Sequence, residues 1–191
     1  MKGVALLLSI LLLTSFVVVR CDNDDDDDND NDNNRSSNNN YDDDEYYAIL
    51  SGSNQSPAIN TPTSGRAYFD LDDDENGYEW AIQVSDVQNL IMAHIHLGKA
   101  GTNGPVIVGL LPKGYPASAF GPNATLPTIT PPFTGSNRYS GRFTAKDLAG
   151  PYAGKPLSAL TQAFKTGGTY VNLHTTKYPA GLVRGQVTPQ S

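Results

Sequence analysis

Eight short runs rich in Val, Ile, Tyr, Phe and Thr, punctuated by glycine and proline, constrain this chain more than any other feature. They are YYAILSG (46–52), GRAYFDL (65–71), GYEWAIQVSD (77–86), LIMAHIHLG (90–98), PVIVGLL (105–111), RYSGRFT (138–144), TYVNLHT (169–175) and GLVRGQVT (181–188). β-Branched and aromatic residues suit a half-buried pleated surface, and the turn residues between the runs set strand ends. Strands and helices do not alternate as in βαβ units, so an antiparallel all-β sandwich or barrel is expected. One segment departs from this pattern. In LSALTQAFKTGG (157–168), Leu157, Leu160, Ala163 and Phe164 recur at helical spacing and Gly167–Gly168 supplies a stop. That spacing predicts a single short helix packed against the sheet or closing one end of it. The stretch 112–137 reads as a long proline-rich loop.

The first 45 residues have a different character. An apolar run from Val4 to Val19 follows Lys2 and is too short to span a bilayer comfortably, so residues 1–21 read as a signal peptide. The expected product is secreted, with membrane attachment only if the segment stays uncut. Cleavage after Cys21 would remove the single cysteine, which excludes a disulfide scaffold. Residues 22–45 hold 12 of the 20 acids and only one base, Arg35, and are expected to form a disordered acidic spacer. Residues 46–191 then suit one domain with a net charge of only +2. Nothing there forms the basic stripe of a nucleic-acid binder. In a eukaryotic host, Asn34, Asn54 and Asn123 would head glycosylation triplets.

All three histidines fall within the strand-like runs. With a side-chain period of two, Met92, His94 and His96 share one face, opposite Ile91, Ala93, Ile95 and Leu97. In the run 169–175, Tyr170, Asn172 and His174 oppose Val171, Leu173 and Thr175. In 181–188, Leu182, Arg184 and Gln186 oppose Val183 and Val187. Were these strands neighbours, His94, His96, Asn172, His174, Arg184 and Gln186 could meet. Two histidines at i and i+2 with a third from another strand suit copper or zinc and leave an open coordination position. A hydrogen-bonded cluster anchoring the sheet would explain the same residues without metal.

Asp72, Asp74, Asn76 and Gly77 match the opening of a calcium loop, but Gln83 stands where the bidentate glutamate belongs. An Asn76–Gly77 hairpin turn between two strands accounts for the segment better than weak calcium binding does. No nucleophile motif, phosphate loop or dinucleotide fingerprint occurs, so no catalytic residue is assigned.

AHIHLGKAGTNGPVIVGL and YVNLHTTKYPAGLVRGQV, with LSGSNQSPAINTPTSGRAYFDL ahead of them, resemble the CHRD domain over about Ile49 to Val187. That family takes its name from repeats in chordin and also occurs alone in exported proteins. The resemblance implies an extracellular, immunoglobulin-like β module, with His94, His96, His174, Thr175, Gly181, Arg184 and Gly185 at signature positions. Gln55 departs from the family pattern, where glutamate is common. Chordin's growth-factor antagonism is not implied, since it is associated with cysteine-rich modules. Cu/Zn superoxide dismutase also carries H-x-H on a β-sandwich strand, but its two-metal site needs more histidines than the three present here.

Two functions are therefore expected. One is an extracellular binding or structural module for a protein or matrix component. The other is a mononuclear copper or zinc protein using His94, His96 and His174, able to support redox or hydrolytic chemistry.

Overall fold

The computed structural model describes residues 45–121 and 124–190. The expected signal peptide, the acidic tract apart from Glu45, and the triplets at Asn34 and Asn123 lie outside those residues.

The described chain is antiparallel β with one α-helix, as its patterning requires. Its strands are β1 (Glu45–Ser51), β2 (Ser64–Leu71), β3 (Gly77–Leu97), β4 (Val106–Leu111), β5 (Phe133–Thr144), β6 (Thr169–Thr175), β7 (Val183–Gln186) and the short β8 (Thr188–Pro189); the helix is α1 (Leu157–Lys165). Hydrogen bonding runs in the order β2-β1-β7-β6-β3-β4, and β2 also pairs with β3. That last pairing closes a ring, so the sheet is a β-barrel or sandwich. Closure leaves fewer bare strand edges for other chains to pair with.

β3 makes the closure possible. Its first half pairs with β2 and β5, its second half with β6 and β4. The sequence pattern suggests two strands, 77–86 and 90–98; the structure joins them into one of 21 residues. Asp86 and Asn89 look like turn residues, but each takes a positive φ (56° and 54°) inside the strand. Short polar side chains tolerate that conformation, and each residue makes a bulge. Register slips occur between Val84 and Val87, between Val87 and Leu90, and between Leu90 and Met92. Three one-residue slips reverse which side chains face inward. Tyr78, Trp80, Ile82 and Val84 point into the core in the first half, and Ala93 and Ile95 do so in the second.

α1 covers one end of the barrel with the four residues its spacing marks. Phe164 packs its ring 5.2–5.3 Å from those of Tyr46, Phe69 and Tyr78. The helix stops as expected. Gly167 takes φ +60°, Gly168 N–H donates to Ala163 O at 2.8 Å and Gly167 N–H to Phe164 O at 3.1 Å.

Two other expectations are corrected. The β2–β3 turn spans 72–76 with its positive φ at Glu75, while Gly77 already belongs to β3. The proline-rich loop ends at Phe133, because β5 begins there. Its start, FTGSN, is polar and glycine-containing, and pairing with β3 overrides that weak strand pattern.

Candidate metal centre

The parity change in β3 puts Met92, His94 and His96 on the side of the sheet away from the hydrophobic core. β6 lies beside that half of β3, with Met92 opposite His174, His94 opposite Asn172 and His96 opposite Tyr170. The three imidazoles converge, and one ring nitrogen from each lies within 4.8 Å of the others. His94 Nδ1 stands 3.3 Å from His174 Nε2. Two nitrogens bound to one tetrahedral ion at about 2.0–2.1 Å stand about 3.3 Å apart, so this edge already has the spacing of a ligand pair.

Backbone carbonyls set two of the tautomers. His96 Nδ1 lies 3.0 Å from Gly104 O, and His174 Nδ1 lies 2.9 Å from Pro179 O. A carbonyl can only accept, so both Nδ1 atoms carry hydrogen and both Nε2 atoms present lone pairs. This is the usual outer support of a metal-binding histidine. If no ion is bound, His94 Nδ1–H must donate to His174 Nε2. His94 Nε2 and His96 Nε2 then remain shut off from solvent with no hydrogen-bond partner. Buried nitrogens in that condition are costly.

Burial also keeps the cluster neutral. Desolvation holds His94 well below the usual histidine range, helped by the neighbouring His174 and His96. It brings His96 and His174 each down to about 4, against the opposing pull of the Gly104 and Pro179 carbonyls. Neutral imidazole is the ligand form, so metal binding above about pH 5 displaces no ligand protons.

Two aromatic rings wall the site. Phe120, from the short 3₁₀ turn Ala117–Phe120, sits 5.5 Å from the His94 ring and lines surface clefts of about 410 and 360 Å³. Tyr170 stacks on His96 at 4.9 Å and 8°. The guanidinium of Arg184 lies 3.4 Å over the Tyr170 ring and donates to Asn103 Oδ1 at 3.3 Å and Lys99 O at 2.9 Å. Arg184 is only 1% exposed, and burial of a cation at such a point demands these partners. Tyr170 Oη accepts from Gly104 N–H at 3.1 Å, which ties the stack to the loop that orients His96.

The other signature residues support the cluster without touching it. Thr175 Oγ1 accepts from Tyr178 N–H at 3.1 Å, closing the turn that delivers the Pro179 carbonyl. Asn172 accepts from Gln55 Nε2 at 2.7 Å and donates to Ala180 O at 3.1 Å. At Gly181, φ is +126° and a Cβ would come within 2.4 Å of the Asn172 amide. At Gly185 a Cβ would stand 2.5 Å from Ile49 O. Of the six polar residues read as able to meet, the three histidines do. Asn172 and Arg184 adjoin them, and Gln186 turns away to the carbonyls of Gly98, Gly167 and Thr169 at 2.7–2.8 Å.

Asn54 is exposed, but its Nδ2 donates to Ile49 O and Arg184 O, each at 3.1 Å, and a glycan there would have to replace one of these bonds. Asp72 receives Arg142 Nε at 2.8 Å and Asp74 accepts from Asn76 N–H at 3.1 Å. A guanidinium therefore holds the position where the sequence pattern suggested calcium. Phe120 and the carbonyls of Gly104 and Pro179 escape sequence reading. The one available signal is a lone aromatic between Pro116 and Gly121.

The structure defines a β-barrel module with a closed three-histidine cluster on the outer side of its sheet, braced by a buried arginine–tyrosine stack. The CHRD domain family model matches residues 46–187, and the chain belongs to that family. CHRD domains are typically extracellular, and among the described residues no helix is long and apolar enough to cross a membrane. No curated protein matches the chain significantly.

Proposed function

We propose that this chain is a secreted extracellular module, immunoglobulin-like in its layering, that holds one copper or zinc ion at His94, His96 and His174. One observation carries the reading: two backbone carbonyls hold the Nδ1 hydrogens of His96 and His174, which leaves both Nε2 lone pairs free in a cluster whose ring nitrogens lie within 4.8 Å of one another. The closed walls favour an ion that is held over one that performs hydrolysis, since hydrolysis needs a position open to water.

A second reading, a purely structural cluster within a protein-binding module, draws support from Arg184 and Asn172, whose polar atoms find protein partners. It leaves His96 Nε2 without any partner.

Elemental analysis separates the two. Tag-free secreted protein, incubated with both ions and desalted, is expected to retain about one ion per chain. His94→Ala/His174→Ala should retain none, and a chelator should lower the melting temperature of the wild type alone. Retention of neither ion by the wild type would leave the structural reading.

A further inference from the structure

We infer that Met92 is a fourth donor to this centre and that the ion it selects is monovalent copper; the inference rests on the metal reading above. The β3–β6 register sets Met92 directly opposite His174, two residues before His94 on the histidine face. Directly opposed residues hold their Cβ atoms about 4.5–5.5 Å apart, within the reach of a flexible thioether side chain. Met92 is buried at 6% exposure, yet it stands apart from the core that takes Leu90, Ala93 and Ile95. Packing against that core therefore does not account for it.

Charge and closure point the same way. Imidazoles bind a metal as neutral donors, and no Asp or Glu is among the buried polar residues described. Arg184 already places a cation behind Tyr170. A divalent ion would bring two uncompensated charges into this setting, and a monovalent ion brings one. Zinc with three protein ligands ordinarily completes its tetrahedron with water. Here His96 Nε2, a ligand nitrogen, is sealed from solvent, and the soft donor that the register brings beside the histidines is a thioether. Thioethers favour Cu(I) over Zn²⁺. No electron transfer is needed for this assignment, because the ion is taken up in its reduced form.

The test is an anaerobic titration of metal-stripped full-length protein. Cu(I) competes against a chromophoric cuprous chelator and Zn²⁺ against a zinc chelator, with Met92→Leu alongside. Leucine keeps the volume and removes the sulfur. One Cu(I) per chain, held more tightly than Zn²⁺, is expected. Met92→Leu should weaken the cuprous affinity about 10- to 100-fold, the scale that changes around a metal commonly produce, and leave zinc unaffected. X-ray absorption at the copper edge should show a sulfur neighbour in the wild type. Tighter binding of zinc, or a wild-type spectrum without sulfur, overturns the inference and leaves the three-histidine centre standing. Wild-type cuprous affinity in Met92→Leu overturns it equally. Failure to bind either ion removes the metal reading itself. Should Met92→Leu not fold, the wild-type spectrum and the zinc competition decide.

Discussion

Arg184 lays its guanidinium carbon 3.4 Å above the ring of Tyr170, the ring that stacks on His96. A buried cation, an aromatic ring and an imidazole thus share one stack, and the arginine's hydrogen bonds to Asn103 and Lys99 tie that stack to the loop following β3. The arginine is part of the wall that holds His96 flat.

Arg184→Lys keeps the charge but loses the planar fork and the broad stacking face. It should lower unfolding free energy by about 2 kcal/mol, the scale of a desolvated cation–π contact with its charged hydrogen bonds. Urea denaturation of metal-stripped protein would show this as a lower midpoint with an unchanged slope. An unshifted midpoint would mean the stack contributes nothing to the fold.

Acid should weaken the fold well before the carboxylates titrate. His96 and His174 are depressed to about 4 by burial, so between the unfolded value near 6.5 and about 4 the unfolded chain binds protons that the native state refuses. Stability from these groups is complete above about pH 6.5 and falls as pH drops toward 4, on the order of 3 kcal/mol for each residue. Melting curves from pH 7.5 to 4.5 should show the decline, and His174→Ala should flatten it.

Metal uptake should reverse the protonation of a single imidazole. His96 and His174 keep hydrogen on Nδ1 in either state, because the Gly104 and Pro179 carbonyls hold it there. His94 Nδ1, 3.3 Å from His174 Nε2, must give up its hydrogen when both nitrogens bind one ion. Nitrogen-15 NMR should find His94 moving from Nδ1–H to Nε2–H on loading. Three unchanged tautomers would rule out this ligand arrangement.

Phe120 separates His94 from the clefts it lines. Phe120→Ala should speed removal of a bound ion by chelator about tenfold or more, while ion stoichiometry stays the same. Stopped-flow chelation would measure it, and an unaltered rate would place the ion's route elsewhere. Some loss of stability will accompany the change, since the ring is buried.

The local elements were legible in the sequence, and the non-local ones were not. α1 has a strong period and a glycine stop, both set by neighbouring residues, and it forms where its pattern predicts. The histidine face of β3 also follows from simple alternation. That β6 should be its neighbour does not, because strand order depends on contacts distant in sequence. Asp86 and Asn89 carry turn chemistry, and only pairing with β5 on either side reveals them as bulges. The carbonyls of Gly104 and Pro179 are invisible for a related reason: every residue has one, and the loop path alone decides which meets a histidine. Alternation marks Asn172 and Arg184 as polar neighbours of the histidines, but their partners Gln55 and Asn103 come from loops whose approach no periodicity encodes.

The three slips in β3 act on side chains as a reading frame acts on codons. Deleting one residue from 85–91 would leave almost every chemical group of the strand in the protein and exchange the destinations of those beyond it. The imidazoles would be sent into the oily interior, while Ala93 and Ile95 would face the loops. Length across this segment is therefore under tighter control than identity, and an indel there should erase the centre where many point substitutions would not.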